Sequence, residues 1–115
     1  MEAGRELDVK MAEMLGWTDI YKAYYTSRWR GHAPGESQKY WRNVREYSIS
    51  WDAMQEVVEA MRERGYGISM RSNGNGWYSS MWQQETAEPV LVSSATADIL
   101  PHAVCLAALK AVENE

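Results

Sequence analysis

The chain has 115 residues and a net charge of −4. That length fits one domain with a core large enough to stand without disulfides or a metal. The single cysteine, Cys105, rules out an internal disulfide, and the acidic balance argues against tight nonspecific binding to duplex nucleic acid, which requires several phosphates to be neutralised. No stretch approaches the roughly 20 apolar residues of a membrane span, and the charged N-terminal "MEAGRELDVK" is unlike a signal peptide.

In chain order, Glu2–Leu15 reads as a helix. Leu7, Met11, Met14 and Leu15 form one apolar stripe, and Gly16 suits a left-handed C-cap. Residues 21–47 follow, read as an irregular stretch. They hold seven aromatic rings and six Lys or Arg side chains against only Glu36 and Glu46, which leaves −8 for the rest of the chain. A second helix is expected over about 49–64, capped by Ser48. Ala53, Met54, Val57, Val58 and Met61 make its apolar face, and Asp52, Glu56, Glu59 and Glu63 its wet side.

"YGISMRS" and "GWYSSMWQ" alternate as strands around "NGNG", a strong hairpin signal, and "PVLVS" adds a third strand. The last helix is expected over about 98–112, with Asp98 as N-cap and Pro101 in its first turn; its nearly all-apolar circumference places it at the centre of the core. The fold class is therefore α+β, in the order helix, loop, helix, three-stranded antiparallel meander, helix. Leu7, Met11, Met14, Met54, Val57, Met61, Ile68, Met70, Ile99, Val104 and Leu106 are the expected core, and Trp17, Trp51 and Trp77 are also expected in it.

Several of these runs resemble a known family. "MLGW", "YSISWDAMQEVVEAMRERGY", the "GW" that opens the second hairpin strand and "TADILPHAVCLAALKAV" together resemble the phage ABA sandwich domain, found in small bacteriophage and prophage proteins. The resemblance covers about residues 7–17 and 46–112. It implies helices on both sides of a central antiparallel sheet and supplies no catalytic residue.

Catalytic chemistry has little support in the residue pattern. His32 sits beside Arg30 in a glycine-bordered segment, where a lone histidine is more often solvated or a ligand contact than a general base. His102 falls in a helix first turn, and Cys105 lies in an apolar run that raises a thiol pKa. One cysteine and two distant histidines have no metal-ligand spacing, and "NGNG" lacks the lysine and helix of a phosphate loop. No cofactor is expected.

Binding chemistry has more. "YYTSRWR" and "KYWR" interleave rings and guanidinium groups, so Tyr24, Tyr25, Trp29 and Trp41 are candidates to stack on a base and Arg28, Arg30, Arg42 and Arg45 to hold phosphate. The competing reading is that these tryptophans pin a long loop to the body. The expectation is a non-enzymatic phage protein of the infected bacterial cytoplasm. It would inhibit host defence by sequestering a nucleotide-derived signal, as a homo-oligomer with exposed aromatic surface. A host-protein binder, or a small structural or assembly protein of the virion, is the alternative.

Overall fold

A computed structural model describes residues 1–84 and 87–115. Its elements are α1 (Arg5–Leu15), β1 (Thr18–Lys22), β2 (Trp29–His32), β3 (Arg42–Asn43), α2 (Trp51–Glu63), β4 (Tyr66–Ser72), β5 (Trp77–Gln83), β6 (Val90–Ala97) and α3 (Leu100–Glu113). The fold is mixed α+β, with three helices and two three-stranded antiparallel sheets among the described residues. The second sheet, β4–β5–β6, is the expected meander. Tyr66 pairs with Gln83 and Ser72 with Trp77, and the Asn73 amide donates to the Gly76 carbonyl at 3.1 Å across the turn. β6 runs four residues past the expected end, to Ala97.

The first sheet was not expected. Residues 18–43, read from sequence as loop, pair as β1–β2–β3. Three features hide these strands. They are five, four and two residues long. A bulge between Thr18 and Tyr21, with Asp19 in the left-handed region, breaks the alternation. The close approach of β1 and β2 also rests on a residue without a side chain, since a Cβ on Gly31 would lie 3.0 Å from both Ile20 Cγ1 and the Thr18 carbonyl oxygen.

The helices keep their expected places with corrected ends. Gly16 adopts the left-handed C-cap after α1. Ser50, not Ser48, caps α2, its hydroxyl accepting from the Ala53 amide at 3.3 Å. Ser48 is instead buried and spent on α1. Its amide and hydroxyl both donate to Asp8 Oδ1, at 2.8 and 2.6 Å, while the Gly4 amide donates to its Oγ at 2.9 Å. Ile99 rather than Asp98 precedes α3, and Pro101 lies in the first turn as expected.

α3 carries the centre of the core, with Val104, Cys105, Ala107, Ala108 and Ala111 buried against Leu7 and Met11 of α1, Met54, Val57 and Met61 of α2, and Met81 of β5. Met14, Ile68 and Leu106 pack on this cluster half-buried. Three expected core residues are exposed: Met70, near the far end of β4, Ile99, just outside α3, and Trp51. Trp51 is 52% exposed on the first turn of α2 and meets Trp77 edge-on at 5.6 Å.

The paired sheet residues in the core, Ile68, Trp77, Met81 and Ala95, belong to one face of the meander. The other face is polar and aromatic. There the Trp82 indole donates to Ser80 Oγ at 2.8 Å, and Arg71 lies 4.9 Å over the Tyr78 ring.

Trp17 and Tyr47 close the base of the first sheet. Trp17 precedes β1 and Tyr47 follows β3; both are buried, and the indole donates to Tyr47 Oη at 2.9 Å. Tyr47→Phe leaves that indole N–H without a partner and should cost about 1–3 kcal/mol. Met61→Ala should cost about 2–5 kcal/mol, whereas Met70→Ala should stay below about 1 kcal/mol. Urea unfolding of the three variants measures these differences.

Candidate functional site

β2 divides the basic aromatic stretch into two faces, because successive side chains along a strand point opposite ways. Tyr21, Arg30 and Asn43 are cross-strand neighbours on one face. Trp41 lies with them, edge-on to Tyr21 at 5.2 Å and tilted 34° against the His32 ring at 3.9 Å. Trp29 is on the opposite face, half-buried toward α1.

The β1–β2 connection extends the first face. The Ala23 amide donates to the Arg28 carbonyl at 2.7 Å and the Ser27 amide to the Ala23 carbonyl at 3.1 Å, with Ser27 in the left-handed region. This tight loop holds Tyr24 and Tyr25 edge-to-face at 5.0 Å while leaving them 90% and 94% exposed. Tyr21, Tyr24, Tyr25, Arg28, Arg30 and Asn43 line an open cavity of about 540 Å³.

Two guanidinium groups of this cavity retain binding capacity. Arg28 makes no side-chain hydrogen bond or ion pair among the described residues. Arg30 donates from Nη2 to the Trp41 carbonyl at 3.0 Å, but its buried Nε has no partner among the described residues. That Nε is sealed from solvent, so the Arg30 group left for a ligand is Nη1, which makes no hydrogen bond among the described residues.

The other two arginines are elsewhere. Arg42 Nε donates to both Glu36 oxygens, at 3.0 and 2.8 Å, and this pairing raises its pKa above the ordinary arginine value. Arg45 pairs with Glu56. Both line a separate cavity of about 700 Å³ beside α2, in a setting that also holds Glu59 and Glu63. The structure thus brings Tyr24, Tyr25, Arg28 and Arg30 together with Trp41 close by, and sets Trp29, Arg42 and Arg45 apart.

Sequence reasoning missed Tyr21 and Asn43. Tyr21 opens the same aromatic run, but Asn43 is identified only by its register opposite Arg30. His32 is not in a loop; it ends β2 and is buried. Its Nδ1 lies 2.9 Å from the Tyr40 carbonyl oxygen, which can only accept, so Nδ1 carries a proton and the ring braces Trp41. Burial pushes the Cys105 thiol pKa up, which leaves it inert as a nucleophile. Among the described residues, no group of three or more His, Cys, Asp or Glu is placed to hold a metal. No described helix is long and apolar enough to cross a membrane.

A third cavity, of about 310 Å³, lies on the far side of β2 between the first sheet and the start of α1. Arg28 and Asn43 line it as well as the first, and Trp29, Val44, Asp8 and Glu46 complete much of its wall. Asp8 is 4% exposed. Its Oδ1 accepts both Ser48 bonds, and its Oδ2 has no partner among the described residues.

No protein-family model, curated protein or solved structure matches the chain.

Burial is the main cause that raises the Asp8 carboxyl pKa above its ordinary 3.8, against the lowering effect of the Ser48 hydrogen bonds. The folded state therefore holds this proton more tightly than the unfolded chain does. The Asp8 contribution to stability is fully present below the ordinary value and is lost as pH rises through the raised one. Asp8→Asn keeps an Oδ1 acceptor for Ser48 without the charge. The melting temperature of Asp8→Asn minus that of the wild type should rise between about pH 3 and about pH 7, as read by calorimetry in both buffers.

Proposed function

We propose that this is a non-enzymatic protein that binds a nucleotide-derived signal and sequesters it. One observation carries the reading: exposed Tyr24 and Tyr25 stand beside Arg28, whose side chain has no partner among the described residues, and under-used Arg30 around one open cavity. Rings of that kind stack on any nucleobase, and guanidinium forks match phosphate oxygens. The net charge of the chain is −4, so a basic patch concentrates selectivity for an anionic ligand at this one place.

The resemblance to phage ABA sandwich domains, with helices layered on both sides of the sheet, belongs to this proposal. Its support is the order of α2, meander and α3. In that setting the protein acts in the cytoplasm of an infected bacterium, where removal of a nucleotide signal would silence a defence response. A second copy of the chain closing over the open cavity would complete the site. A second reading, direct binding to a host protein, is favoured by the near-complete exposure of Tyr24 and Tyr25, since Tyr and Arg are typical hot-spot residues.

A thermal-shift screen against nucleotides, dinucleotides and cyclic nucleotides tests the first reading. A ligand at about 100 times its Kd should add about 2.7 kcal/mol of stability. Tyr24→Ala and Tyr25→Ala should each lose about 1–3 kcal/mol of binding while changing stability by no more than about 0.5 kcal/mol. Arg28→Ala should weaken binding by an amount that shrinks as salt rises. Arg42→Ala, already paired with Glu36, should have little effect. A ligand whose affinity ignores all three cavity variants would remove this function from the patch.

A further inference from the structure

The 310 Å³ cavity between α1 and the first sheet is a second recognition site with a different chemistry. Its wall carries both signs of charge. Asp8 and Glu46 lie close enough to repel one another electrostatically, and Arg5 and Arg28 supply the positive side. Arg5 is held in place by donation from Nη1 to the Ser27 carbonyl. Trp29 and Val44 give the wall an apolar portion.

Asp8 is the informative group. Asp8 is 4% exposed, yet its Oδ2 is not sealed from solvent and opens onto the cavity. Here Ser48 saturates Oδ1 and leaves Oδ2 without a protein donor among the described residues. An ammonium carries three donors and one positive charge, so it would satisfy Oδ2, relieve the repulsion from Glu46 and leave a donor to spare. The Arg28 guanidinium on the same cavity, without a partner among the described residues, matches a carboxylate bidentately. The volume lies at the lower end of the roughly 300–1,000 Å³ range of small-molecule sites, which suits one small zwitterion and not a peptide.

We propose that this cavity binds a free α-amino acid with an apolar side chain, its ammonium on Asp8 Oδ2 and Glu46, its carboxylate on Arg28 and its side chain against Trp29 and Val44. The inference does not rest on the nucleotide reading. The two cavities share Arg28 and Asn43 but lie on opposite faces of β2, so an amino acid in one and an anion in the other would compete for the same guanidinium.

Isothermal titration calorimetry of the full chain with L-leucine, L-isoleucine, L-valine, L-methionine and L-phenylalanine tests it. At least one should bind with a Kd of about 1 mM or tighter. For the leucine skeleton, 4-methylpentanoate lacks the ammonium and 3-methylbutylamine lacks the carboxylate. Each should bind roughly 10- to 100-fold more weakly than leucine, the cost of one charge-assisted hydrogen-bonded group. Asp8→Asn should weaken the amino acid by a similar factor, whereas Tyr24→Ala should leave its affinity unchanged. No binding by any of the five at about 10 mM would overturn the proposal. So would truncated analogues that bind as well as leucine, or a folded Asp8→Asn protein with wild-type affinity. If Asp8→Asn does not fold, the analogue comparison on the wild-type chain decides alone.

Discussion

The hydrogen bond from the Trp17 indole to Tyr47 Oη is the constraint on which the rest depends. It joins the residue that leaves α1 to the residue that approaches α2, and so brings together the two ends of an excursion of 29 intervening residues. Fixing the ends of so long a loop costs conformational entropy, and this neck offsets the cost with two buried aromatic side chains. Three further bonds tie it down. Ser48 donates twice to Asp8 of α1, and Cys105 Sγ of α3 donates to the Tyr47 carbonyl at 3.3 Å. α1, α2, α3 and the first sheet therefore meet at one small buried cluster. Burial also drives the Tyr47 hydroxyl pKa well above its ordinary value, so the group stays a neutral hydrogen-bonding partner across the physiological range.

A short sheet anchored in this way can present residues that a folded core would not tolerate. The core itself is formed by α3 with α1, α2 and one face of β4–β6; the strands of the first sheet add Ile20, and Ala33 and Val44 pack on it just beyond β2 and β3. β1–β3 are thus free to carry charge and exposed rings. Strand alternation in β2 then separates Arg30 from Trp29 and gives the sheet two unlike surfaces. One is aromatic and basic, with exposed tyrosines. The other faces α1 and adds a buried carboxyl. Arg28, at the head of β2, reaches both cavities.

The body of the fold was legible in the sequence because its signals are long and periodic. The apolar stripe of α2, the alternation of β4 and β5 around "NGNG" and the all-apolar α3 each extend over seven or more residues. The first sheet was not legible, because its strands are short and bulged and two of its rungs are glycine and asparagine. The composition of the stretch marked it as the place for binding, but composition carries no parity. Trp29 and Arg30 are neighbours in sequence and opposed in space, which becomes visible only once β2 is known. Nor could sequence separate Arg42 and Arg45, whose carboxylate partners lie six and eleven residues away. Ser48 attracted the capping role because its hydroxyl stands just before the apolar face of α2, while Ser50 two residues later takes it and Ser48 serves Asp8.

Backbone and indole chemical shifts during titration with a nucleotide that raises the melting temperature test the central claim most directly. Perturbations centred on residues 21–30 and Asn43, with the Trp41 indole shifting and the Trp77 and Trp82 indoles still, are the expected result. Perturbations centred instead on the polar face of β4–β6, around Arg71, Tyr78 and Trp82, would place recognition on the other sheet and contradict the account.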